Sequence, residues 1–449
     1  MQIYYFQFKM SPTLKNKYYE LTEGAYAYCW VVSKDEFSAL NIARFCVEKD
    51  EWCVEEIDFK PIICEYEHFE GKDIGQKQFL TAQKEGISIA YGAWARDRKT
   101  YKKIENPKFG ERLNIGEYLK NKKSESKKGR CLHFDASDSC KKYINAHSIQ
   151  KNNSLTSIAV DGEVYMTSSQ FSDLKRYHGK ILFKKIGIKK ASTFRGFCEN
   201  HDNELFAPID NFPFLATDEQ IMLYAYRSLC RELFVKKNSV ELYLQKSKSK
   251  EMSSSLKNVF RDMFEGSVCG LRNLEIQKKW YDQSLKNKKY DDMRYVIFNF
   301  NQEPDVAFSC VLFPDFDFLG NQIQILDDHN RELELITFCS APTPQGWAYV
   351  FAWHKNNATI CEHYIRSLVT LVHEGQKLED ILFRLIICCE NIAISPRWWE
   401  TLPKNVVNEI SAFITDYINP FSTIDLNYLS IGISDICKWK IDTVQSYMN

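Results

Sequence analysis

The sequence predicts a multidomain α+β protein, and three observations predict it. Near the N-terminus, short aromatic and β-branched runs alternate with helically spaced apolar residues. Around residue 220 the pattern turns to long amphipathic helices. From about residue 293 it turns again, to turn-bounded apolar runs that read as an antiparallel sheet. The 449 residues suffice for a few domains of roughly 100–200 residues each.

Residues 1–120 form the first expected domain. "QIYYFQFKM" and "AYAYCWVVS" read as strands. "KDEFSALNIARFCVEKD" carries Phe37, Ala39, Leu40, Ile42, Ala43 and Cys46 at helical spacing. "EWCVEEIDF" reads as a strand, "IGQKQFLTAQKEG" as a helix closing at Gly86, and "ISIAYGAWA" as another strand. This β-β-α-β-α-β order predicts a small α/β sandwich with its helices on one face of a sheet. Residues 121–130, within "LKNKKSESKKGR", lack an apolar pattern and read as a linker. Residues 131–210 hold a Cys/His cluster, and 211–449 form a C-terminal α+β domain. There "ATDEQIMLYAYRSLCRELFVKK" is a strong helix, capped by Thr217 or Asp218. One or two helices follow over "SSSLKNVFRDMFEGSVCGLRNLEIQKKWYDQSLKNKK". Strands are expected at "MRYVIFNFN", "DVAFSCVLF", "QIQIL", "LELITFCSA" and "WAYVFAWHK", then helices from about residue 358.

The hydrophobic and charged fractions, 44% and 26%, are ordinary for a globular chain, and 14% aromatics oppose extensive disorder. Formal net charge is zero, so a charged partner must be met by a local patch. There is no basic n-region with an apolar core and no run of 18 apolar residues. Neither a signal peptide nor a membrane span is expected. The 15 cysteines are odd in number, and Cys29, Cys46, Cys64, Cys310, Cys388 and Cys389 stand in apolar surroundings. Free thiols and a reducing cytoplasm follow as the expectation.

The chemistry concentrates in two stretches. "CLHFDASDSCKKYINAHSIQKN" contains Cys131, His133, Cys140 and His147, and "FRGFCENHDNELF" contains Cys198 and His201. Thiolate and imidazole are borderline-soft donors suited to tetrahedral zinc. The C-x2-H spacing points both side chains the same way at a helix start. That is the second half of a treble-clef finger, with Cys131 and Cys140 as a loose C-x8-C knuckle. Cys131, Cys140, Cys198 and His201 then close one structural shell. His133 is a possible substitute ligand, and His147 is left over.

This segment resembles the HNH-like treble-clef family. "AHSIQK" is similar to the family's histidine-bearing strand, and "GFCENHD" to its helix start. "HSIQKNNSLTSIAVDGEVY", "KKASTFRGFCENHDNELFAPID" and "LYAYRSLCREL" also resemble stretches of uncharacterised bacterial proteins that share them in this order. The resemblance implies His147 as general base, deprotonating water while a separate Mg²⁺ or Mn²⁺ holds the phosphate. An orienting group would come from Asn200, Asp202 or Asn203, with Asn203 favoured. It further implies a DNA or RNA nuclease, or a decayed one that still binds nucleic acid, in bacterial antiviral defence. Departures are Ala146, where many active members carry Asp, Glu or His, and Gln150, where Pro is frequent. The 50 residues between His147 and Cys198 also exceed what a compact finger needs.

Residues 122–195 hold 16 Lys plus Arg against 6 Asp plus Glu. Lys184, Lys185, Lys189, Lys190 and Arg195 are the expected phosphate contacts. The alternative is a solvated lysine face and a non-enzymatic, zinc-stabilised scaffold for protein partners. Other sites are thin. Trp398, Trp399 and Glu400 read as loop packing, His354 as structural, and Asp315 with Asp317 as a turn. No GxSxG, HExxH or Walker lysine occurs.

Overall fold

The computed structural model describes residues 1–449 except 14, 17–21, 71, 96–99, 103–114, 169–181, 250–251, 253, 327–330, 419–421 and 449. The chain divides into two compact units, Met1–Arg98 and Lys99–Asn449.

In the first unit, β1 (Gln2–Pro12), β2 (Thr22–Ser33), β3 (Trp52–Cys64) and β4 (Ile87–Ala95) form an antiparallel sheet ordered β3-β1-β2-β4. The expected order of strands and helices is the observed one. Helix Glu36–Lys49 starts where the Asp35 carboxylate accepts the Ser38 N–H at 2.7 Å. Successive residues of a strand face opposite sides. Phe6, Phe8 and Met10, with Ala25, Ala27 and Cys29, meet Ala39, Ala43 and Val47 of this helix. Tyr5 and Trp30 face the other way, toward Phe69 and toward Phe79 and Ala82 of helix Asp73–Glu85. The helices therefore cover opposite faces, which corrects the expectation of one covered face. The reason lies in "IYYF", where consecutive positions are apolar and both faces need cover.

The second unit is built on an eight-stranded antiparallel sheet. Its small strands β5 (Thr100–Lys102), β6 (Ala146–His147) and β9 (Thr193–Phe194) stand outside that sheet, as does β15 (Thr423–Asp425). The sheet comprises β7 (Glu163–Ser168), β8 (Leu182–Gly187), β10 (Met293–Phe300), β11 (Val306–Leu312), β12 (Ile336–Thr343), β13 (Gly346–His354), β14 (Ile392–Ile394) and β16 (Thr443–Tyr447). Its order is β16-β10-β13-β12-β11-β14-β7-β8. Strand β13 shows how the faces are divided. Trp347, Tyr349, Phe351 and Trp353 pack on one side, with helices Ala358–His373 and Leu378–Ile386. Ala348, Val350 and Ala352 pack on the other, against helix Asp218–Ser247 and its partner Ser254–Lys286. Small side chains on that face let the long helix approach the sheet closely.

Helix Asp218–Ser247 is buried at every position from Gln220 to Cys230. A helix apolar on all sides belongs in a core. Of the two expected caps, Thr217 is the one used: its hydroxyl accepts the Gln220 N–H at 3.2 Å.

Several local expectations change. Residues 121–127, read as linker, belong to helix Ile115–Lys127. It is held by Tyr118 on Phe260 and by polar contacts with the long helix, Lys246 to Glu117 at 2.5 Å and Gln245 to Glu125 at 3.1 Å. "QIQIL" is no strand; only Gln322 makes an isolated bridge, to Phe316. Asp317 organises a turn, accepting the N–H groups of Leu319 and Asn321 at 2.9 and 2.8 Å. Trp398 and Trp399 are buried, Trp399 against Phe183 with ring centroids 4.7 Å apart. His354 is buried, its Nδ1 accepting the Asn356 N–H at 3.3 Å.

Two outcomes follow. A Cβ on Gly346 would lie 2.3 Å from the Phe300 carbonyl oxygen, so the β12–β13 turn would have to shift. Gly346→Ala should cost about 1–3 kcal/mol in denaturant unfolding, and an unchanged midpoint refutes this. Burial raises the Asp305 carboxyl from its ordinary 3.8 to about 6, and its Oδ2 has no hydrogen-bond partner among the described residues. A folded pKa above the unfolded one gives stability present below about pH 4 and lost as pH rises through 6. The melting-temperature gain of Asp305→Asn over wild type should therefore grow from pH 4 to pH 7; a pH-independent difference contradicts the assignment.

Candidate metal centre

Three backbone features converge the donors. The loop carrying Cys131 runs beside the chain ahead of Cys198: the Leu132 N–H donates to the Gly196 carbonyl at 2.8 Å. Strands β6 and β9 pair Ala146 with Phe194 and His147 with Thr193. Tyr143 bridges Cys198, and the Glu199 N–H reaches the Lys142 carbonyl at 3.2 Å. Cys198 is the N-cap of helix Glu199–Leu205, so His201 stands three residues on, over the same side.

The Sγ atoms of Cys131 and Cys140 lie 3.3 and 3.4 Å from His201 Nδ1. All four donor atoms, Cys198 Sγ included, lie within 4.8 Å of one another. A tetrahedron with zinc bonds of about 2.3 Å to sulfur and 2.0 Å to nitrogen has edges of about 3.5–3.8 Å. The cluster can therefore hold a metal ion such as zinc. Burial pushes the Cys131 thiol up to about 11, so a cation is needed to favour its thiolate. His133 is no member of this shell. It stacks on His201 at 4.0 Å with the rings 8° from parallel, and its Nδ1 accepts the Asp135 N–H at 3.0 Å.

His147 stands apart from the four donors. Its Nε2–H donates to the Ile188 carbonyl at 2.9 Å, and burial lowers its pKa, which keeps the ring neutral. The other groups acting on it are Lys151, Arg227 and Asp210. Arg227 is buried and gripped by Asp210 through two bonds of 2.8 and 2.6 Å. Its guanidinium lies 4.0 Å over the Phe206 ring. On the helix, Asn203 is exposed, whereas Asp202 is buried. Burial raises the Asp202 carboxyl to about 6, with Arg227 opposing. Its Oδ1 has no hydrogen-bond partner among the described residues.

The sequence reading missed Arg227, Asp210 and the use of Gln150. An arginine inside "IMLYAYRSLC" was the available signal, because a buried guanidinium needs an acidic partner. Gln150 donates to the Ile209 carbonyl at 2.6 Å and so fixes the turn that presents Asp210.

The expected phosphate contacts divide. Lys185 on β8 pairs with Glu400 at 2.8 Å, and Lys184, its neighbour, points to the opposite face. Arg195 donates to the carbonyls of Lys127 and Tyr143, both at 3.1 Å, and is a backbone clamp. Lys189 and Lys190 are exposed in the turn after β8. No helix is long and apolar enough to cross a membrane among the described residues.

No family model matches the chain, and neither does any curated protein or solved structure.

The cluster should give one metal per chain by elemental analysis of the purified protein. Cys198→Ala should lose that metal and lower stability by several kcal/mol. A metal-free wild type, or full metal in the variant, would sink the site.

Proposed function

We propose that this chain is a nucleic-acid-binding protein whose finger holds one zinc for structure rather than hydrolysis. The Cys131–Cys140 loop, the β6–β9 pair and a helix with Cys198 at its cap and His201 one turn in support the reading of an HNH-like treble clef. Four donors fill the tetrahedral shell and leave no position for substrate. The observation that carries the non-hydrolytic reading is the surroundings of His147. A hydrolytic centre of this kind needs a base facing water and acidic groups free to hold a second divalent cation. Here Nε2 of His147 is engaged by the Ile188 carbonyl. Asp210 is engaged twice by Arg227, a permanent cation already seated among the acidic groups.

The second reading, a Mg²⁺- or Mn²⁺-dependent nuclease, draws on one observation. Asp202 follows directly after the ligand His201 and carries a carboxylate oxygen without a partner among the described residues. The zinc-loaded protein, incubated with plasmid DNA and with RNA in Mg²⁺ or Mn²⁺, should cut neither. Cation-dependent cleavage that His147→Ala abolishes at unchanged zinc content would replace the first reading with the second.

A further inference from the structure

We infer that the docking surface for nucleic acid is the solvent face of helix Ile115–Lys127 together with the Lys141–Lys142 stretch that follows Cys140, and that it grips the phosphate backbone of a duplex. This rests on the nucleic-acid-binding reading above and names a surface other than the expected Lys184–Arg195 set.

Residues i, i+3 and i+7 of a helix share a face. In this helix those are Lys120, Lys123 and Lys127, all exposed. The opposite side packs inward: Tyr118 lies 6.1 Å from Phe260, and Glu125 is buried beside Gln245. The helix end abuts the finger. One guanidinium, that of Arg195, joins the carbonyls of Lys127 and Tyr143, and a Cβ on Gly129 would lie 2.6 Å from Cβ of Tyr143. This close approach sets Lys127 beside the Lys141–Lys142 step, and the metal ligand Cys140 anchors that step. Neighbouring carboxylates are already engaged: Glu117 by Lys246, Glu125 by Lys128 and Glu199 by Lys142. Lys123, Lys127 and Lys141 make no ion pair among the described residues.

Chemistry chooses the occupant. Lysine is depleted from protein–protein interfaces, which centre on aromatic and arginine anchors. Here the face presents lysines without such an anchor. Among its described residues it also presents no exposed aromatic side chain on which single-strand bases could stack. Lys120 and Lys127 are about 10.5 Å apart along the axis, roughly three phosphate steps of one duplex strand.

The test is anisotropy of a labelled duplex of about 20 base pairs, DNA or RNA, titrated with zinc-loaded protein between about 50 and 200 mM salt. Lys123→Glu/Lys127→Glu/Lys141→Glu should weaken binding at least about tenfold and reduce the log–log salt slope by about three. Lys34→Glu/Lys60→Glu/Lys84→Glu, the same charge change in the first unit, should behave as wild type. If the triple variant loses zinc, Lys123→Glu/Lys127→Glu serves in its place, with a slope change of about two. A duplex bound equally by variant and wild type overturns the surface and leaves the nucleic-acid reading standing. Wild type that binds no duplex or single strand at low salt overturns both. Tighter binding of single strands, or of polyglutamate, overturns the assignment to a duplex backbone.

Discussion

Helix Asp218–Ser247 must satisfy its polar side chains without water, and the second unit is organised around that constraint. From Gln220 to Cys230 it is buried all round, yet five of those side chains are polar or carry a hydroxyl. Each makes hydrogen bonds to other parts of the unit, although Arg227 Nε has no partner among the described residues. Gln220 donates to the Pro208 and Pro213 carbonyls, and the Tyr224 hydroxyl reaches Gln150. The Tyr226 hydroxyl donates to Asp282 at 2.7 Å on the partner helix and lies 3.0 Å from the Leu132 carbonyl of the knuckle. Arg227 holds Asp210, and Ser228 lies 2.8 Å from the Ser309 hydroxyl on β11. A buried polar group left unpaired costs about 1–3 kcal/mol, so these bonds specify where the Cys/His segment, helix pair and sheet must lie.

The same rule shapes the surroundings of the metal site. The four soft donors gather at a cluster that could hold a metal ion such as zinc, while the hard carboxylates gather around a guanidinium. Asn391 extends the pattern into the sheet. Its amide donates to the Ser148 hydroxyl at 2.8 Å, and Ser148 lies 2.7 Å from the Ser192 hydroxyl. The strand that carries His147 is thereby tied to β14 and to the chain leading into β9. The half-buried histidine sits in a hydrogen-bonded polar frame.

The local elements were legible where one interaction decides them. Strand alternation in "WAYVFAWHK" and the capped helix at Thr217 follow from nearest neighbours, and so does the i, i+3 pairing of Cys198 with His201. What sequence did not reveal depends on partners far along the chain. Nothing near "LKNKKSESKK" announces a helix, because its stabilising partners are Gln245 and Lys246. The long interval after His147 gave no hint of its destination. Its strands β7 and β8 join the sheet by pairing Met166 with Ala393 and Tyr165 with Ile394. Asn203 was favoured over Asp202 because spacing alone cannot tell which of two adjacent helical residues turns inward.

The pairing of β7 with β14 joins segments far apart along the chain. On the ribosome, β7 and β8 emerge roughly 200 residues before β14, an interval on the order of 10–40 s at usual elongation rates. During it, the edge of β7 that will receive β14 is unpaired, while the cysteines and His201 are already outside. The four candidate donors are therefore all available before the sheet is complete. A metal ion at these four donors would hold the nascent segment as a stub until the strand that joins it to the rest of the sheet arrives.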